Sequence, residues 1–102
     1  MKLQLALDDL TIEQSIELLH KVENYIDIIE IGTPFIMKDG MRAAREIKVR
    51  FPKLELLCDT KIMDAGFYET EIALDAGADY VTVLGITDIA TIRACVEKAA
   101  SH

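Results

Sequence analysis

The chain has 102 residues, 51% apolar and 28% charged, which suits one compact folded domain and excludes a disordered chain. Its net charge of −7 leaves no basic stripe for nucleic acid, although a small phosphorylated ligand needs only a local pocket of donors. No apolar run approaches a membrane span, and Met1-Lys2-Leu3-Gln4 lacks the charged and long apolar regions of a signal peptide, so a cytoplasmic protein with no membrane partner is expected.

In chain order, Leu3 to Leu7 reads as a short strand that ends at the turn signal Asp8-Asp9. Thr11 and Gln14 have capping-box spacing, and Ile12, Ile16, Leu19 and Val22 recur at helical spacing, so 12–24 is expected to be an amphipathic helix. Ile26 to Ile31 is Ile-rich and too short for a helix, so it reads as the second strand, broken by Gly32-Thr33-Pro34. A loop is expected to Gly40, then a helix over 41–51 stopped by Pro52. Leu54 to Cys58 reads as the third strand, closed by Asp59. A helix over 67–76 follows, with Gly77 past its end. Tyr80 to Leu84 is the fourth strand, and Asp88 is placed to cap a last helix reaching about Ala100. Cys58 and Cys95 have neither metal-ligand nor disulfide spacing and read as buried free thiols. His20 and His102 have no ligand partner in sequence.

The pattern is α/β, βα four times, with right-handed crossovers and parallel strands. Strand ends at Asp8, Glu30, Asp59 and Gly85 are spaced 22, 29 and 26 residues apart, the length of βα units. Either an open doubly wound sheet or an arc of a (βα)8 barrel uses this pattern. A whole barrel typically needs about 250 residues, so as an arc the chain would be a (βα)4 half of a TIM barrel.

Residues two apart share a strand face, which puts Asp8, Glu30 and Asp59 above mostly apolar positions at the C-terminal strand ends, where both architectures bind ligands. Glu30 and Asp59 on adjacent strand ends suit a hard divalent cation such as Mg²⁺. Lys61 continues the face of Asp59, and its ammonium can donate to a developing oxyanion such as an enediolate. Asp64 lies on the loop entering the third helix, where it either points across the rim or caps that helix. Asp8 is weighed as a rim residue against a simple turn former. The bland alternatives are separate turn carboxylates for Glu30 and Asp59, and a surface ion pair for Lys61.

Leu5-Ala6-Leu7-Asp8, Ile29-Glu30-Ile31-Gly32-Thr33-Pro34, Asp59-Thr60-Lys61-Ile62-Met63-Asp64-Ala65-Gly66 and Val81-Thr82-Val83-Leu84-Gly85 occur in that order. Through these the chain resembles the N-terminal half of the 3-hexulose-6-phosphate synthases, in the orotidine 5′-monophosphate decarboxylase superfamily. The Asp-x-Lys-x-x-Asp motif is specific to that superfamily, and the Gly-Thr-Pro and Ile-Met-Asp-Ala-Gly segments favour the synthases over the 3-keto-L-gulonate-6-phosphate decarboxylases. The resemblance implies that residues 1–102 are the N-terminal half of a ribulose-phosphate-binding barrel. It implies Mg²⁺-dependent aldol addition of formaldehyde to D-ribulose 5-phosphate, with metal ligands Glu30 and Asp59. By the same likeness Lys61 stabilises the enediolate, Asp8 binds substrate hydroxyls or positions Lys61, and Asp64 reaches a neighbouring subunit's site in a homodimer. The proton-transfer and phosphate-binding residues of such enzymes lie on later strands, so this chain is expected to pair with a second half-barrel and not to act as a competent monomer. Two rivals are an inactive assembly piece and a phospho-receiver module, with Asp8-Asp9, Asp59 and Thr82 or Thr87 in its signalling positions.

Overall fold

A computed structural model of the chain describes residues 1–102. Four strands, β1 (Gln4–Leu7), β2 (Ile28–Ile31), β3 (Glu55–Ile62) and β4 (Tyr80–Val83), form one parallel sheet in the order β1-β2-β3-β4. Five helices join and follow them: α1 (Ile12–Val22), α2 (Thr33–Asp39), α3 (Met41–Arg50), α4 (Gly66–Asp75) and α5 (Ile89–Ser101).

Burial alternates along the strands, and this decides between the two architectures. Leu7, Ile29, Ile31, Leu56 and Cys58 are buried under Ile12, Leu19, Phe35, Ala43, Ala44 and Ile47 of the helices. The opposite face carries Gln4, Ala6 and Tyr80, all exposed. A strictly sequential order with helices on one face is an arc of a TIM barrel. A doubly wound sheet has an order reversal and helices on both faces, as the receiver module would require, and neither feature is present. The buried thiols are as expected, and burial pushes the Cys58 thiol up to about 12, so it packs as an apolar group.

The floor of the arc, at the N-terminal ends of the strands, is fastened twice in the same manner. Asp27, just before β2, accepts the Leu3 N–H at 2.7 Å, and Asp79, just before β4, accepts the Leu56 N–H at 2.7 Å. Lys48 of α3 donates to Asp79 at 2.7 Å and to the Leu54 carbonyl at 2.9 Å, which binds a helix into the second fastening.

The helix ends explain most of the boundaries. Thr11 and Gln14 form the expected capping box, and Asp88 caps α5 by accepting the Thr91 N–H at 2.8 Å. Two expectations are corrected, and the capping alternative left open for Asp64 falls away. Residues 33–39, expected as loop, are helix α2, because Pro34 sits in the first turn where its missing N–H costs nothing and Phe35 is fully buried. Asp59 does not close β3, which runs on to Ile62. Asp64 does not cap α4; the cap position is Ala65 in a left-handed conformation, with no side-chain hydrogen bond. Gly66 is needed there because a Cβ would lie 2.4 Å from the Thr91 carbonyl oxygen, so the start of α4 presses directly on α5.

Candidate active site

Strand register assembles the site. Leu7, Ile31, Cys58 and Val81 pair across the sheet, so the residues one step on, Asp8, Gly32, Asp59 and Thr82, form one layer at the C-terminal rim. Glu30 pairs with Ala6 and Leu57 and lies two residues nearer the floor, about 7 Å down at the usual strand rise. All these residues belong to the face away from the helices.

Asp59 is the hub. Its side chain is 16% exposed, and one oxygen accepts from the Lys61 ammonium, with the Thr33 hydroxyl 2.9 Å from the same atom. The other oxygen accepts from the Thr82 hydroxyl at 2.7 Å. Burial pulls the Asp59 carboxyl upward, but donation from Lys61, Thr82 and Thr33 outweighs it and holds the group below its usual range. Asp59 is therefore a fixed anion.

Lys61 reaches back to Asp59 through an irregular backbone. Between Cys58 and Ile62 strand β3 advances four residues while β4 advances two, from Val81 to Val83, and Lys61 lies within this bulge at φ 49°. Positive φ is uncommon outside glycine and collects at functional sites, and bulges re-aim side chains there. The Lys61 ammonium also donates to the Thr33 hydroxyl at 2.7 Å. Of its three protons, two are thus engaged and one is free for a ligand oxygen.

Asp8 and Glu30 are arranged differently. Asp8 is exposed, and its carboxylate occupies the space beside Gly32, where an added Cβ would lie 1.9 Å from Oδ1. It makes no hydrogen bond to Lys61, so positioning of that lysine by Asp8 finds no contact in this structure. Glu30 accepts from the Gln4 amide at 2.5 Å through one oxygen and keeps the other free of protein donors. The expected convergence of Asp8, Glu30 and Asp59 on one rim is corrected in one respect: no group of three His, Cys, Asp or Glu side chains comes close enough together to hold a metal ion. Asp64 is exposed on the turn before α4 and takes no part in the Asp59 network. Thr33 and Thr82 had not been singled out for this site, although their places after β2 and in β4 put both beside Asp59.

A test of the layer follows from Gly32. Gly32→Ala is expected to expel the Asp8 carboxylate from its niche, seen as a shift of the Asp8 side-chain carboxyl resonance while the Asp59 resonance stays put. An unmoved Asp8 resonance would show that the niche does not set its position.

Helix-backed parallel strands carrying their polar groups at the C-terminal ends define a TIM-barrel type of ligand site. The chain belongs to the orotidine 5′-phosphate decarboxylase / HUMPS family, which matches it over residues 1–102. It is 58% identical to the 3-hexulose-6-phosphate synthase of Bacillus subtilis (strain 168) over 97% of this chain and 47% of that protein. The crystal structure of 3-hexulose-6-phosphate synthase from Salmonella typhimurium superposes with a TM-score of 0.97 at 50% identity, over 99% of this chain and 48% of that one. That of 3-keto-L-gulonate-6-phosphate decarboxylase from Vibrio cholerae gives 0.94 at 35% identity, over 98% and 47%. The chain therefore spans about half the length of the curated relatives it matches.

Proposed function

We propose that the chain contributes the enediolate-stabilising part of a 3-hexulose-6-phosphate synthase site, joining formaldehyde to C1 of D-ribulose 5-phosphate. The observation that carries this reading is the Asp59–Lys61 pair, hydrogen-bonded on the barrel rim with one ammonium proton to spare. Removal of a proton from C1 of the ketose places negative charge on the oxygen of the neighbouring carbonyl. Lys61 is suited to donate to that oxygen, and a donor fixed in advance lowers the barrier more than one that must reorient. The π electron pair of the C1–C2 enediolate then forms the new bond from C1 to the formaldehyde carbon, the C2 carbonyl re-forms, and the former aldehyde oxygen takes up a proton. Asp8, exposed at the same level, is assigned to substrate hydroxyls. Asp64, exposed before α4, is assigned to a neighbouring subunit's site in a homodimer. The closed partner for the open sheet face is a second half-barrel.

The donor set accords with Mg²⁺: two carboxylates, Glu30 with an oxygen free of protein donors and Asp59 with lone-pair capacity left on Oδ1, are the number of protein oxygens that ion commonly takes. Glu30 and Asp59 would hold it, and when bound it supplies positive charge beside the developing oxyanion. By calorimetric titration, Glu30→Gln is expected to weaken Mg²⁺ binding by about 10-fold or more with the circular dichroism unchanged. Equal binding by both proteins would overturn this ligand assignment.

Higher identity to the synthases than to the Vibrio cholerae decarboxylase supports formaldehyde addition over loss of CO₂. The deciding experiment co-expresses the chain with the part of the Bacillus subtilis synthase that it does not match, then follows hexulose-phosphate formation by NMR. Formaldehyde-dependent product is expected. CO₂ release from a 3-keto-hexonate phosphate without formaldehyde addition would replace this reading with the decarboxylase.

A further inference from the structure

We propose that Thr82 is a positioning residue, whose side chain stands in for the missing strand ladder and so holds Lys61 in its reactive place. The importance of that place rests on the enediolate reading, whereas the positioning itself rests on geometry alone.

The bulge adds two residues to β3, so its backbone groups lose their ordinary partners on β4. Two hydroxyls replace them. The Thr82 hydroxyl accepts the Lys61 N–H at 2.9 Å, and the Thr60 hydroxyl donates to the Thr82 carbonyl at 2.9 Å. The same Thr82 oxygen donates its single proton to Asp59 at 2.7 Å. One hydroxyl thus links the backbone of Lys61 to the carboxylate that its own ammonium grips. A hydroxyl has one proton to give, so this chain has a single polarity, from the Lys61 N–H through Thr82 to Asp59. It explains how a lysine at φ 49° is retained, since a sparsely populated backbone persists only where its surroundings over-determine it.

Valine has the shape of threonine and favours strands equally well, so Thr82→Val removes the hydroxyl and little else. Serine returns it. Amide hydrogen exchange on the purified chain reads the linkage without any turnover. In Thr82→Val the Lys61 amide should exchange about tenfold faster, with the Leu56 amide on the floor unchanged, and Thr82→Ser should restore protection. Should valine loosen Leu56 as well, Thr82→Ala against Thr82→Ser is judged by the same criterion. A Lys61 amide as protected without the hydroxyl as with it overturns the proposal. In the co-expressed assembly, kcat should fall in Thr82→Val while KM for the sugar phosphate holds, and serine should recover kcat. If the assembly makes no product even with the native chain, the enediolate reading fails, and the exchange measurement still decides the role of Thr82.

Discussion

Lys61→Met should lower kcat of the co-expressed assembly by on the order of 10³-fold, with KM for D-ribulose 5-phosphate much less affected. Methionine preserves the length of the side chain and removes every donor. Stability is not the cause of such a loss. The Lys61 side chain is 49% exposed, and an ion pair of that exposure contributes little to folding. Arginine should not rescue it, because a planar fork cannot give one proton each to Asp59, Thr33 and a substrate oxygen in the geometry of an ammonium. Steady-state kinetics on the three proteins check this. A loss smaller than tenfold would remove Lys61 from the centre of the reaction.

The largest effect on stability is expected at Phe35. Its side chain, on α2, is fully buried within a core cluster to which β1, β2, β3, α1 and α3 all contribute. Phe35→Ala should cost about 3–5 kcal/mol, a large share of the roughly 5–15 kcal/mol that holds a domain together. Urea unfolding followed by circular dichroism measures it. The same change should disturb the site, because Thr33 stands at the first residue of α2 and donates from there to Asp59. An unchanged midpoint would mean that α2 is not docked as described.

These two residues also mark what the sequence makes legible. The α1 capping box, the Asp88 cap, the four strands and the charged rim can be read from local patterns, because each depends on residues within a few positions of one another. Helix α2 was hidden because Gly32-Thr33-Pro34 is punctuation in a loop and an equally good start for a helix. Only burial of Phe35 against distant residues selects the helix. Thr82 joined Asp59 only in the rival receiver reading, and its link to Lys61 was hidden for a related reason. Its neighbour Val81 pairs with Cys58, and that register is settled by the whole sheet, so nothing within a short window places Thr82 beside Asp59. The left-handed backbone of Lys61 gave no signal either, since the usual marker, glycine or asparagine, is absent at 61.

The paired fastenings at Asp27 and Asp79 separate the chain's obligations in space. Alignment of the strands is secured toward one end of the arc by carboxylates gripping Leu3 and Leu56, three residues before Asp59 on β3. The rim adds its own side-chain ties between β3 and β4, through the Thr60 and Thr82 hydroxyls. A rim side chain outside these ties, such as Asp8, can be exchanged without changing how the strands align. That is consistent with synthases and decarboxylases matching this half closely in shape while their identity to it falls from 50% to 28%.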